Sequence, residues 1–348
     1  MSKKKPSFKI IKSLDEYLNL YNRKIIIPIF YEDLKRFSGS VSVYNNKDID
    51  TLWVRVFYSD FERKEIDENL KKVYNLLHSD GNEKNLKFLN VDAIDYCTFG
   101  NSKPFRIKIR NILNDNFTYF YVKKADASRI YGLELEHMLS PYNLNFLVFE
   151  NTLIEEHITG IPGDEFFENF LKKCNGLEKT QIAKEFVKFN ERCMIRLLGD
   201  MRSYNYVIIP THDFDKVVYK IRAIDFDQQC FEGNLEVYRP QFFKENKIII
   251  DIVKDKLEEN SINQYKIEER SILAKRILSS QDRSEKLINC MLNDSISNKK
   301  NIKLLSQQIY RLTGDKNFIG VNKMGQIMRA SFNYILKNYE NHEMLGID

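Results

Sequence analysis

The sequence predicts an α+β protein, with a small antiparallel sheet in its first half and a mostly helical second half. Between residues 88 and 124 three β-rich runs are separated by turn residues, whereas past Cys230 the apolar residues recur at helical spacing. Composition agrees: 43% hydrophobic and 30% charged residues over 348 positions describe a globular chain, long enough for two or three compact units.

The first 85 residues read as an N-terminal accessory region without recognisable chemistry. Residues 24–30 and 52–58 are strand candidates, and Ile66, Leu70, Val73, Leu76 and Leu77 give residues 61–78 a helical stripe. A Ser-Asp-Gly-Asn break follows at 79–82. Trp53, the single tryptophan, reads as a packing residue. Strands are then expected at 88–96, 105–112 and 117–124, with turns at 98–104 and 113–116. Residues 127–139 form a helix whose inward stripe is Tyr131, Leu135 and Met138. Short strands at 145–148 and 152–155 precede a short helix at 164–171. A long amphipathic helix at 179–198 buries Ile182, Phe186, Phe189, Cys193 and Leu197. The remainder reads as helices at 244–257, 265–278, 282–292, 302–312 and 318–337.

The chemistry concentrates between residues 197 and 228. Leu197-Leu198-Gly199-Asp200-Met201-Arg202-Ser203-Tyr204-Asn205 is followed by an apolar run at 206–209, a polar turn at 211–216 and a β-rich run at 217–223. Ala223-Ile224-Asp225-Phe226-Asp227 closes the stretch. Loop, strand, turn and strand make a hairpin that brings Asp200, Asn205 and Asp225 to one sheet edge. Two carboxylates and an amide carbonyl are oxygen donors suited to Mg²⁺, which keeps waters and substrate phosphates as its other ligands. Phosphoryl transfer uses such a metal clamp together with an acid that orients the attacking hydroxyl.

This D-x4-N, hairpin, I-D-F order resembles the protein-kinase-like superfamily, and within it the aminoglycoside phosphotransferase and choline kinase branch, whose motifs read roughly H-G-D-x-x-x-x-N and I-D-F/W. The resemblance covers residues 88–230. It implies a bilobal kinase-like fold: accessory region 1–85, sheet lobe and hinge 86–160, helical lobe 161–348. It implies ATP and Mg²⁺ as cofactors, with Asp200 as the catalytic acid–base residue and Asn205, Asp225 and possible extra ligand Asp227 at the metal. The strand end Tyr121-Val122-Lys123-Lys124 is similar to the family's lysine strand. Lys123, or its neighbour Lys124, would hold phosphates, fixed by Glu134 or Glu136 of the next helix. Gly100 and Ser102 occupy the place of the phosphate-covering loop. Glu156, His157 and Ile158 occupy that of the adenine-binding hinge, with His157 as a packing or rim residue.

The implied activity is transfer of the γ-phosphate of ATP to a hydroxyl acceptor of unread identity, small molecule or protein. The alternatives are a nucleotide-binding pseudokinase scaffold, or an adenylyl transferase on the same fold. Three departures bear on these: Leu198 stands where a His or Arg is common, Asp227 where glycine is common, and the nucleotide loop has one glycine.

The 54 basic residues exceed the 49 acidic ones by five, spread along the chain. That balance permits an anionic ligand but forms no basic stripe interleaved with aromatics, so nucleic acid is not an expected partner. Five cysteines without paired spacing indicate neither zinc nor a disulfide frame. With no membrane-spanning run and no signal-peptide core, the expected location is the cytoplasm.

Overall fold

The computed structural model describes residues 5–45, 47–78, 83–213 and 216–339, so the expected break at 79–82 and His342 lie outside the described residues. The chain divides into two units. Among the described residues, one comprises Pro6–Ala127 and Leu144–His157; the other comprises Ser128–Asn143 and the chain from Ile158 to Tyr339, together with Lys5.

The first unit holds helices α1 (Lys12–Leu20) and α2 (Tyr31–Leu34), strands β1 (Gly39–Tyr44) and β2 (Asp50–Phe57), and helix α3 (Asp60–His78). Strands β3 (Leu89–Cys97), β4 (Phe105–Asn111) and β5 (Phe117–Lys124) follow, and after an excursion into the other unit come β6 (Phe146–Phe149) and β7 (Thr152–Glu156). They form a seven-stranded antiparallel sheet in the order β1-β2-β3-β4-β5-β7-β6. Two-residue alternation builds its two faces. On β4, Phe105, Ile107 and Ile109 are buried, while Arg106, Lys108 and Arg110 are only half-buried. The buried set joins the α3 stripe of Ile66, Leu70, Val73 and Leu77 in one core.

Two expectations change here. Residues 24–30 form no strand apart from one bridge, Lys24 to Val148. Pro28 has no N–H to give a ladder, and Ile27 and Ile29 still reach the core from irregular backbone. The accessory region also contributes directly to the sheet, because β2 pairs with β3 through Trp53↔Cys97 and Arg55↔Asp95. Trp53 stacks under the Arg106 guanidinium, 4.5 Å from its ring centre, a cation–aromatic contact beside the Arg106–Asp95 ion pair.

The second unit is mainly helical. Helix α4 (Ala127–Leu139) enters it, followed by β8 (Ile161–Pro162), α5 (Gly163–Asn169), α6 (Gly176–Arg196), β9 (Tyr206–Asp213) and β10 (Lys216–Ala223). Then come α7 (Lys247–Lys256), α8 (Glu259–Ser279), α9 (Gln281–Asn293), α10 (Lys299–Thr313) and α11 (Met324–Asn338). A small sheet in the order β10-β9-β8 supports the loop before β9. Helix α6 starts in a capping box, Asn175 Oδ1 accepting from the Glu178 N–H while Glu178 accepts from that of Asn175. It packs against α7, α8 and β10 and ends at Leu197 in the left-handed conformation, which turns the chain into the Asp200 loop. Among the described residues no helix is long and apolar enough to cross a membrane.

Candidate functional site

Asp200, Asn205 and Asp225 come together as the hairpin spacing requires. The β9–β10 ladder runs from Asp213↔Lys216 to Tyr206↔Ala223, and the Ile224 N–H extends it by donating to the Asn205 carbonyl at 3.0 Å. A 3₁₀ turn, Ser203–Asn205, leads into β9. There Asn205 Nδ2 donates to the Asp200 carbonyl at 2.7 Å, closing the loop across five residues. Asn205 Oδ1 accepts no hydrogen bond from the described residues and so remains able to serve as an oxygen ligand. Two further backbone bonds fix the loop: Asp200 N–H to the Val237 carbonyl and Gly199 N–H to that of Gln228. Beneath it, fully buried Asn246 donates to the Met201 and Pro240 carbonyls and accepts from the Tyr206 hydroxyl.

The backbone here is strained. Leu197 (φ 53°), Asp200 (φ 61°) and Cys230 (φ 52°) all occupy the left-handed region without being glycine. Cys230 N–H donates to the Leu197 carbonyl, so two of the strained residues are neighbours across a short bridge. Such residues persist where surrounding structure over-determines them, and they cluster at functional sites.

Around Asp200 the side chains are ionic. Arg202 donates from Nε to Asp200 at 2.8 Å and from a terminal nitrogen to Glu245 at 2.6 Å, with its guanidinium over the Phe243 ring. Burial raises the Asp200 pKa above the usual aspartate range, with the nearby Glu245 charge acting in the same direction, while Arg202 opposes both. Glu245 lies below its ordinary range despite burial, because backbone and Arg202 hydrogen bonds outweigh desolvation.

Asp227, expected as an extra metal ligand, is instead buried and paired with Arg129 of α4 at 2.5 Å. An aspartate held by a buried guanidinium is already neutralised. The oxygen set thus reduces to Asn205 and Asp225, whose Oδ1 accepts from the Asp227 N–H. Among the described residues no three His, Cys, Asp or Glu side chains converge to hold a metal. A two-oxygen set suits only an ion that completes its shell with water and substrate oxygens, as Mg²⁺ does. Helix α4 presses on this segment at Gly132, where a Cβ would stand 3.1 Å from that of Phe226, and Ser128 Oγ donates to the Gln229 carbonyl.

The remaining expected residues lie in the sheet unit, save Glu134, Glu136 and Ile158. Lys123 is buried and Lys124 exposed, which settles which lysine of the strand end is inward. The expected Lys123–Glu134 ion pair is replaced by two others. Lys123 Nζ bonds Glu155 at 2.6 Å, and Glu134 is held by Arg283 of α9 at 2.8 Å. Glu136 is taken by Arg196 of α6. The physical reason is strand register: Tyr121↔Glu155 and Lys123↔Leu153 pair across β5 and β7, so Glu155 lies diagonal to Lys123 on the same face. Glu155 Oε1 is buried without a hydrogen-bond partner, an orphan that a ligand hydroxyl or amino group would satisfy.

Gly100 (φ 83°) and Ser102 sit in the β3–β4 turn, which the Tyr31 hydroxyl ties down through the Lys103 carbonyl. Glu156 donates its N–H to the Asn145 carbonyl, and Ile158 is buried. His157 shares a hydrogen bond with the Tyr121 hydroxyl at 3.2 Å; burial, then Arg106, lowers its pKa.

Sequence reading missed Arg202, Glu245 and Arg129, and took Glu155 for the start of the hinge rather than the partner of Lys123. Arg202 lies inside the motif and could have been noticed as the cation two residues after Asp200. The other three reach their partners over long sequence separations, with no local signal. Comparison with protein-family models and with curated proteins finds no match.

Proposed function

We propose that the protein is an ATP- and Mg²⁺-dependent phosphotransferase of bilobal, kinase-like architecture, acting on a hydroxyl acceptor. The observation that carries this reading is the closed loop in which Asn205 bonds the Asp200 carbonyl while the β9–β10 hairpin returns Asp225 beside Asn205. Asp200 orients the acceptor hydroxyl and takes its proton as transfer proceeds. A carboxylate whose pKa burial has raised is a better proton acceptor than an exposed one. Arg202 holds that carboxylate in a single orientation and balances its charge. Asn205 and Asp225 would hold Mg²⁺, which neutralises phosphate charge when bound. Lys123 contacts phosphate, steadied by Glu155 rather than by a carboxylate of α4.

A second reading, a nucleotide-binding scaffold that transfers nothing, is favoured by one specific observation. The Asp200 carboxylate is engaged by Arg202, itself shared with Glu245, and an acceptor must compete with that pair. Thermal melts with Mg²⁺–ATP, followed by a γ-phosphate transfer assay on an acceptor panel, separate the two. Mg²⁺–ATP is expected to raise the melting temperature by mass action. Asp225→Asn should abolish that rise, and Asp200→Ala should keep it while transfer falls by about 10²–10⁴-fold. Absence of any shift with ATP or GTP overturns both readings; a shift without transfer in wild type leaves the scaffold.

A further inference from the structure

The helical unit contains a polar cavity of about 310 Å³, and none of its lining residues belongs to the candidate site. Its walls come from α6, β10 and α8. Lys184, Lys188 and Arg192 recur every fourth residue along one face of α6, β10 contributes Lys220, and α8 contributes Arg276. Two carboxylates also line it, Glu185 and Glu269, and both are committed to Arg192, at 2.7 and 3.0 Å. Lys188 is paired with Glu268 at 2.9 Å.

Three cations therefore form no salt bridge to a carboxylate among the described residues: Lys184, Lys220 and Arg276. The Lys184 ammonium lies over the Tyr265 ring, 4.5 Å away, and its charge also acts on Glu268 without forming a salt bridge. Arg276 donates once, to the Ser140 carbonyl at 2.6 Å, and its Nε is buried with no hydrogen-bond partner. A buried donor without a partner is rare in folded proteins and marks a place where a ligand or ion completes the set. The five cations of the lining outnumber its two carboxylates, and like charges gathered around a cavity repel one another, which an anion relieves.

We propose that this cleft binds a small, multiply charged oxyanion of the phosphate-ester class. Its volume of about 310 Å³ suits a compact ligand rather than an extended nucleic acid strand, which needs a groove that tracks a backbone. The proposal does not depend on the phosphotransferase reading.

The test is titration of inorganic pyrophosphate in EDTA, without divalent metal, followed by calorimetry. The variants are Lys184→Ala/Lys220→Ala, Lys184→Arg/Lys220→Arg and Asp225→Asn. Wild type, the arginine variant and Asp225→Asn are expected to bind saturably. The double alanine variant should bind at least about tenfold more weakly, because a charge-assisted bond is worth about a factor of ten or more. Both lysines are partly exposed, and thermal melts check that the variants remain folded. No saturable binding to wild type overturns the proposal. So does wild-type affinity in the double alanine variant, which would place the anion elsewhere.

Discussion

Asp200 combines a left-handed backbone, φ 61°, with a carboxylate that burial pushes toward protonation. Asparagine tolerates that backbone as well as aspartate does and carries no charge to desolvate. Because the folded-state pKa is raised above the unfolded one, Asp200's contribution to stability is complete below the unfolded pKa. It is lost as pH rises through the folded value. Asp200→Asn is therefore expected to melt above wild type at neutral pH, with the gap closing as pH approaches about 3.9, the ordinary aspartate value. Thermal melts at the two pH values check this. A neutral-pH melting temperature well below wild type would mean that the Arg202 pair outweighs desolvation. The same substitution should abolish transfer, the usual opposition between stability and function at a strained site.

Gly163 opens helix α5 against the turn that carries Asn205. A Cβ there would stand 2.5 Å from the Ser203 carbonyl and 2.5 Å from the Tyr206 ring, so backbone must move to admit it. Gly163→Ala is expected to cost about 1–3 kcal/mol and to weaken the Mg²⁺–ATP thermal shift at the same time. Gly176→Ala, where a Cβ meets nothing within 4 Å, serves as the control and should be neutral or slightly stabilising. Normal nucleotide binding in a destabilised Gly163→Ala would separate that glycine from the site.

Elements with a regular side-chain period were legible in the sequence. The structure has β5 at Phe117–Lys124 and α4 at Ala127–Leu139, the ranges that periodicity indicates. Strand β1 was not legible, because Gly39 to Tyr44 buries none of its residues fully and so carries little hydrophobic alternation. The Asp200–Asn205–Asp225 arrangement was legible because a single hairpin makes it nearly local. The partners of Lys123, Glu134 and Asp227 were not, since each depends on strand order or on a helix crossing decided elsewhere in the chain.

Across the helical unit, arginines paired with buried glutamates join the helices. Arg196 of α6 meets Glu136 of α4, Arg192 of α6 meets Glu269 of α8, Arg270 of α8 meets Glu191 of α6, and Arg283 of α9 meets Glu134 of α4. Burial alone would raise the Glu136 pKa, but Arg196 outweighs it and holds the carboxyl below its ordinary range. With the folded-state pKa depressed, this contribution is present above the unfolded glutamate pKa and is lost as pH falls through the folded one. Glu136→Gln leaves Arg196 charged and buried, and should cost about 3–5 kcal/mol in urea unfolding. It should also reduce the dependence of stability on acid. A cost below about 1 kcal/mol, the range of exposed pairs, would show that Arg196 finds another partner.

The chain leaves the sheet unit at Ala127 and returns at Leu144, yet β5 is completed on its far side by β7. On the ribosome, β5 therefore emerges with β4 as its only neighbour. The main-chain groups that will face β7 stay unpaired until Thr152–Glu156 is made. At ordinary synthesis rates that delay is on the order of seconds. During it, Phe120 and Val122, wholly buried in the finished sheet, lie on a strand whose free edge can pair with another nascent chain. The detour through α4 thus sets a window in which co-translational protection of this one edge governs how much protein reaches the native sheet.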